Sequence, residues 1–319
     1  MNLRINLISR SNGVGLDQDV NLIYNTLTHA GFEVTISHAR SAPLWSYFSQ
    51  PRTQYDANIF LERVFPRWFS SAKKNFLIPN QERFPRRHLK YLNNIDIVLC
   101  KTKHAFSVFS EYSRCQYIGF TSEDRALPHV EMDYNSYLHL AGRSTLKGTE
   151  TILDLWSKHP DWPKLTLIQC KENAPTAIPE NVRLISRYLK KDDLLKELNS
   201  HGVHLCLSKS EGWGHYIVEA MSCEAIIITT DAPPMNEIVN RSLGVTIPYV
   251  RQENRHLGIN FYADSKALKL QLNRLFKLKE EDKIKYGKNA RKWYDQNHKT
   301  FVSTFPDIIQ ELLNKNATF

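Results

Sequence analysis

The chain has 319 residues, 42% of them hydrophobic, a length that buries a sizeable core and suggests two domains. Its formal net charge of +9 favours anionic partners such as nucleotides, phosphorylated lipids or nucleic acid, without choosing among them. The N-terminus has no apolar stretch long enough for a secretory signal, no run approaches a membrane span, and the five cysteines show no CxxC pair or zinc-like spacing. Reduced thiols and a cytoplasmic protein are therefore expected.

Alternating strand and helix signals run along the chain. Leu3, Ile5 and Leu7 open a strand that breaks into Asn12-Gly13-Val14-Gly15, followed by a helix over 20–29 and a strand over 32–36. Short apolar runs predict strands over 57–61, 75–78, 95–99 and 116–118, with a helix over 103–111. The segment 122–135 is polar, holds Pro128 and lacks periodicity, so a domain boundary is expected there.

A second series then begins. Strand 137–141, helix 150–156, strands 165–169 and 182–185, helix 192–199 and strand 203–207 lead to another apolar run over 225–228. Beyond Pro248 the pattern is expected to turn helical. Leu268, Leu272, Leu275 and Phe276 line one helical face, and Phe301, Phe305, Ile308, Ile309, Leu312 and Leu313 another. The alternation predicts an α/β protein with doubly wound parallel sheets, a first domain over 1–130, a second over 136–300 and a final helix over 301–319.

The basic residues are uneven. Arg63, Arg67, Lys73, Lys74, Arg83, Arg86, Arg87, Lys90, Lys101 and Lys103 fall in one segment with few acids. The second basic run, 266–292, alternates with leucines and glutamates and reads as solvated helix faces. No nucleic-acid motif is present and the cations do not interleave with aromatics as a stacking platform needs, so nucleic acid is not the expected partner.

Three segments carry chemistry. Gly13 and Gly15 can bring backbone amides close to a ligand, although without the GxGxxG spacing the loop equals an ordinary turn. In 139–148 a strand ends at Gly142, and Arg143 and Lys147 follow before a helix opens. Arg143 can grip two phosphate oxygens and Lys147 can add a point charge. The third segment, Glu211-Gly212-Trp213-Gly214-His215-Tyr216-Ile217-Val218-Glu219, sets two carboxylates eight positions apart around a glycine loop and a helix start. Such carboxylates accept charge-assisted hydrogen bonds from hydroxyls, while the helix N-terminus favours an anion. A glycoside hydrolase pair would also use two carboxylates, one with a raised pKa. The cationic loop argues instead for a phosphorylated donor.

Together Gly142-Arg143-x3-Lys147-Gly148, Ser208-x2-Glu211-Gly-Trp-Gly-x4-Glu219-Ala-Met and Asp231-x5-Glu237 resemble the retaining nucleotide-sugar glycosyltransferases of the GT-B fold, with glycosyltransferase family 4 the most similar group. The resemblance is clear over 138–239. It implies two Rossmann-like domains facing across a cleft, the first binding acceptor and the second the donor, with the last helix crossing back to the first.

It further implies that Arg143 and Lys147 neutralise the donor diphosphate, that Glu211 lies by the donor sugar and that Glu219 holds the ribose. Arg187, Tyr188 and Leu189 are candidates beside the base, and Gly13 and Gly15 for facing the donor. No metal or other cofactor is expected. The expected partners are a nucleotide-sugar, with UDP-glucose preferred, and a saccharide or lipid-linked saccharide acceptor, with a peripheral contact at the inner membrane face through the basic segment. The chain departs from the family pattern in having Tyr216 in place of a proline and Pro233-Pro234 in place of two glycines. A catalytically weak nucleotide-sugar-binding or scaffold subunit is the alternative those departures leave open.

Overall fold

The computed structural model describes residues 3–10, 15–40 and 53–314. The chain divides into two units. One comprises Met1–Glu123, Arg255–Gly258 and Asn297–Phe319, the other Asp124–Asn254 and Ile259–Gln296.

The first unit holds β1 (Arg4–Ser9), α1 (Gly15–His29), β2 (Glu33–His38), β3 (Tyr55–Glu62), β4 (Ala72–Pro79), β5 (Ile97–Cys100), α2 (Lys103–Phe109) and β6 (Cys115–Tyr117). They build a six-stranded parallel sheet in the order β2-β1-β3-β4-β5-β6. The central strands are nearly continuous apolar runs because both faces are covered: Ile59, Phe60, Leu61, Phe76, Leu77 and Ile78 are all buried. A buried asparagine ladder crosses them in register. Asn6 Nδ2 donates to Asn58 Oδ1 at 3.1 Å, and Asn58 Nδ2 donates to Asn75 Oδ1 at 2.9 Å. A slip of one residue would leave these amides unpaired in the core, so the ladder fixes register. After β3 and β4 the chain forms short 3-10 helices at Pro66–Ser71, Gln81–Arg83 and Arg86–Asn94.

The second unit holds β7 (Asp133–Gly142), α3 (Thr149–Lys158), β8 (Leu165–Gln169), β9 (Val182–Ile185), α4 (Lys191–Ser200), β10 (His201–Cys206), α5 (His215–Ser222), β11 (Ile226–Thr230), α6 (Met235–Ile238) and β12 (Gly244–Ile247). Its six-stranded parallel sheet runs β12-β11-β10-β7-β8-β9. The core beneath it is aromatic, with the Trp156 ring 6.0 Å from Tyr137 and 5.1 Å from Trp162.

Beyond Pro248 the structure corrects the helical expectation. β13 (Tyr249–Arg255) and β14 (Gly258–Ala263) pair as a two-stranded ribbon before helix resumes. β13 is exposed almost throughout, so it shows no alternation of apolar and polar residues. In α7 (Ser265–Phe276), Asp264 caps the first turn and Leu268, Leu272 and Leu275 are buried. The long α8 (Glu280–Asn314) ends in the first unit, where Phe301 meets Phe120 edge-on at 5.0 Å and Asn297 Nδ2 donates to the Phe120 carbonyl at 2.8 Å. All five cysteines are free thiols. Among the described residues no helix is long and apolar enough to cross a membrane.

Candidate active site in the second unit

The strand order of the second sheet reverses between β7 and β10, which both run parallel from the middle of the sheet. At such a switch point the following loops leave in opposite directions and open a crevice at the carboxyl edge. The loop after β7 carries Arg143 and Lys147, and the loop after β10 carries Ser208 and Glu211. The two sequence motifs therefore meet for a topological reason.

Their side chains touch. Lys147 Nζ lies 2.5 Å from Glu211 Oε1, and the same oxygen accepts from Ser208 Oγ at 2.5 Å. Ser208 Oγ is also 2.6 Å from the Tyr216 hydroxyl, and Lys147 Nζ sits 3.4 Å from the centroid of the Tyr216 ring. Burial, more than the neighbouring Cys206 and Glu211, pushes the Tyr216 phenol well above its ordinary range, so it stays a neutral donor.

Backbone geometry holds both loops. Gly142 and Gly148 take left-handed conformations, φ 56° and 71°. At Gly148 a Cβ would fall 2.5 Å from the Leu207 carbonyl oxygen, so only glycine allows this loop to lie against the end of β10. The Lys209 amide donates to the Leu146 carbonyl at 2.8 Å and ties the two loops together. From below, Thr229 and Thr230 of β11 donate to the Cys206 and Ser208 carbonyls, each at 2.8 Å.

His139, fully buried in β7, pins the same region. Its Nδ1 is 2.7 Å from the Leu205 carbonyl, which can only accept, so Nδ1 carries the proton and Nε2 accepts from Thr149 Oγ1 at 2.9 Å. Burial pushes its pKa down to about 4.

The other expected residues are placed less centrally. Gly212, Trp213, Gly214 and Ile217 are buried, Gly214 with φ 103°, and His215 opens α5 half-exposed. Arg143 is exposed on the same loop as Lys147, its backbone carbonyl accepting from Asn173 Nδ2 at 3.0 Å. After β9, Arg187 and Tyr188 are exposed, Tyr188 at 89%, while Leu189 packs on apolar neighbours. Gly15 begins α1 of the first unit, and Gly13 lies outside the described residues.

Glu219 is buried and accepts from Arg125 Nε at 3.0 Å, while the Arg125 amide donates to Ser222 Oγ at 2.9 Å. Sequence reasoning missed Arg125, which stands in a polar stretch without pattern. It also missed Ser208 as the hinge of the cluster, although Ser208 stands in the motif itself. Among the described residues no group of three or more His, Cys, Asp or Glu side chains could hold a metal ion.

Residues 170–293 match the family of glycosyl transferases group 1. The matched segment contains Ser208, Glu211, Tyr216 and Glu219, and the Lys147 loop precedes it. The whole chain shares its fold with solved GT-B glycosyltransferase structures. Sucrose-phosphate synthase from Thermosynechococcus elongatus aligns with a TM-score of 0.72 at 13% identity over 97% of this chain and 99% of that one. A glycosyltransferase from Rickettsia africae gives 0.71 at 13% identity over 99% and 100%. Anabaena HepE, solved with UDP and glucose, gives 0.67 at 14% identity over 98% and 99%. At these identities the likeness speaks for the fold. None of the curated proteins matches the sequence.

Proposed function

We propose that this protein is a retaining glycosyltransferase of the family 4 type, moving a hexose from UDP-glucose to a hydroxyl of a saccharide or lipid-linked saccharide. The observation that carries this reading is the Lys147–Glu211–Ser208–Tyr216 cluster at the β7/β10 switch point, beside the N-terminus of α5. The glycosyltransferase domain and the UDP and glucose bound by HepE support the choice of donor.

In this reading the bond from the anomeric carbon to the leaving phosphate stretches first. Positive charge spreads over the sugar ring and negative charge gathers on the diphosphate. Lys147, Arg143 and the backbone amides opening α5 stabilise that negative charge as it develops. Glu211 orients Lys147 and faces the sugar hydroxyls, and Glu219 takes the ribose. The acceptor hydroxyl attacks from the face the diphosphate is leaving, and its proton passes to a leaving phosphate oxygen. The carbon–oxygen bond that forms has the configuration of the one that breaks.

Thermal shift against a panel of nucleotide-sugars tests the donor, because a ligand that binds only the folded state raises its stability. A shift with UDP-glucose, followed by transfer with retained anomeric configuration in the product NMR spectrum, is expected. A shift with GDP-mannose alone would replace the donor, and the absence of any shift or transfer would sink the reading.

A further inference from the structure

The first sheet has a switch point of its own, between β1 and β3. The residue after β1 is Arg10 and the residue after β3 is Arg63, so two guanidinium groups stand at the carboxyl edge where a crevice opens. We propose that this edge of the first unit is an anion site that takes the phosphate or diphosphate group of a phosphorylated acceptor.

Three further elements converge on Arg63. After β4 the 3-10 helices bring Arg83, Arg87 and His88 to the same edge, with the His88 ring 5.9 Å from Phe84. Arg10 lies 5.7 Å from the centroid of the Phe65 ring. The turn between β13 and β14 delivers Arg255 and His256. It is fastened by the Leu257 amide, which donates to the Gln81 carbonyl at 3.2 Å, and by Gly258, where a Cβ would come within 3.0 Å of Glu82 Cα.

The charges bear on one another. Both imidazoles are held below their ordinary range, first by burial and then by cations: Arg63, Arg87, Arg10 and Lys90 for His88, and Arg255, Arg63 and Arg83 for His256. Arg63 is common to both sets. Glu62 offsets it, accepting from Arg63 Nε at 3.0 Å, and holds it from a left-handed backbone conformation, φ 69°, that a non-glycine residue adopts at a cost. Glu82, 3.9 Å from Arg83, is the other carboxylate of the group. Six cations against two carboxylates leave a concentrated positive field, which disfavours the compact state unless an anion relieves it.

Two buried nitrogens point the same way. Arg255 Nε and His88 Nδ1 have no hydrogen-bond partner among the described residues. A phosphate group supplies several acceptor oxygens to the Arg255 Nε–H and to His88 Nδ1 in the tautomer that protonates it, and arginine meets it bidentately. That the anion belongs to an acceptor rests on the glycosyl-transfer reading; the anion site itself does not.

The test is calorimetric titration of inorganic pyrophosphate into the full chain saturated with UDP, so that the donor site is already filled. Pyrophosphate is expected to bind with UDP present, to bind equally well in Arg143→Ala, and to weaken roughly tenfold or more in the Arg63→Gln/Arg255→Gln double variant. UDP affinity and melting temperature report whether the double variant is folded, and Arg10→Gln supplies a milder second probe. Sedimentation with phosphatidylglycerol vesicles, against phosphatidylcholine, separates the sources. Capture that the double variant loses assigns the phosphate to a lipid headgroup. Pyrophosphate binding without capture assigns it to a soluble phosphate ester. Pyrophosphate binding abolished by UDP, or unchanged in a folded double variant, would overturn the site. Failure of UDP to bind would count against the donor reading alone, because the arginine variants still report on pyrophosphate.

Discussion

The Lys147 ammonium rests on the face of the Tyr216 ring, 3.4 Å from its centroid, while its Nζ reaches Glu211 Oε1 at 2.5 Å. The cation is fixed from two sides, by a ring below and a carboxylate beside it. Tyr216 occupies the position where the resembled family has proline, and the bulk that made the sequence look irregular is what the lysine stands on. Tyr216→Phe keeps the ring, loses the bond to Ser208, and is expected to cost about 1 kcal/mol of stability with kcat nearly unchanged. Tyr216→Leu removes the ring, and a lost cation–π contact of about 0.5–2 kcal/mol corresponds to a roughly twofold to thirtyfold fall in kcat. Equal kcat losses in the two variants would show that the ring does not position Lys147.

Lys147→Met removes the charge and keeps the length of the stem. If Lys147 stabilises the departing diphosphate, kcat falls by about 10²–10³ while KM for the donor moves much less. Steady-state kinetics with a fixed acceptor check this, and a change confined to KM would mean that the lysine only binds the ground state.

Gly148→Ala combines a left-handed φ with a Cβ 2.5 Å from the Leu207 carbonyl oxygen. The backbone strain costs about 1–2 kcal/mol, and the clash adds to it. The loop must lift from β10 to relieve it and carries Lys147 with it. Urea unfolding and kcat are both expected to fall; a stability loss with full activity would separate the loop from the chemistry.

Much of this was legible in the sequence because parallel strands buried on both faces announce themselves as apolar runs. Ala57 to Leu61, Leu165 to Gln169 and Val203 to Leu207 all lie in strands or at a strand end. The meeting of Lys147 with Glu211 was legible only as two motifs. What joins them is strand order, and no local pattern encodes that β10 lies beside β7. The ribbon of β13 and β14 was misread because Arg251, Gln252, Glu253 and Asn254 are exposed and charged or polar, so no period-two signal remains. The arginine cluster of the first unit was half visible: Arg63, Arg83 and Arg87 stood in the basic segment. Arg10 and Arg255 come from distant parts of the chain, and only the fold gathers them.

Arg125 and Glu219 form a buried pair, with side chains 12% and 7% exposed. Removing one partner leaves the other charge buried without compensation, so Arg125→Met is expected to destabilise by about 3–5 kcal/mol. Arg125→Met/Glu219→Gln removes both charges and should recover much of that loss. If Glu219 also holds the donor ribose, the double variant regains stability without regaining donor affinity. Urea melts and UDP titration on the same samples distinguish these outcomes, and recovery of both together would deny Glu219 the ribose.

Two fully buried histidines contribute to the acid limb of stability. Burial lowers His139 to about 4 and His204 to about 3, against an ordinary value of 6.5. Folded, both stay neutral well below pH 6; unfolded, both take up a proton as pH falls through about 6.5. Between these values the unfolded state binds more protons, so the stability contributed by keeping them neutral is complete above pH 6.5 and drains away on acidification toward 4 and 3. Each histidine adds a slope approaching about 1.4 kcal/mol per pH unit. The window from pH 6.5 to 5 lies above the ordinary carboxylate range, so the histidine contribution can be read there. His139→Asn keeps a donor toward Leu205 and cannot titrate. It is expected to lower stability at pH 7.5 and to give a shallower fall between pH 6.5 and 5 in urea unfolding. An acid limb as steep as that of the wild type would mean that His139 is not what makes the fold sensitive to acid.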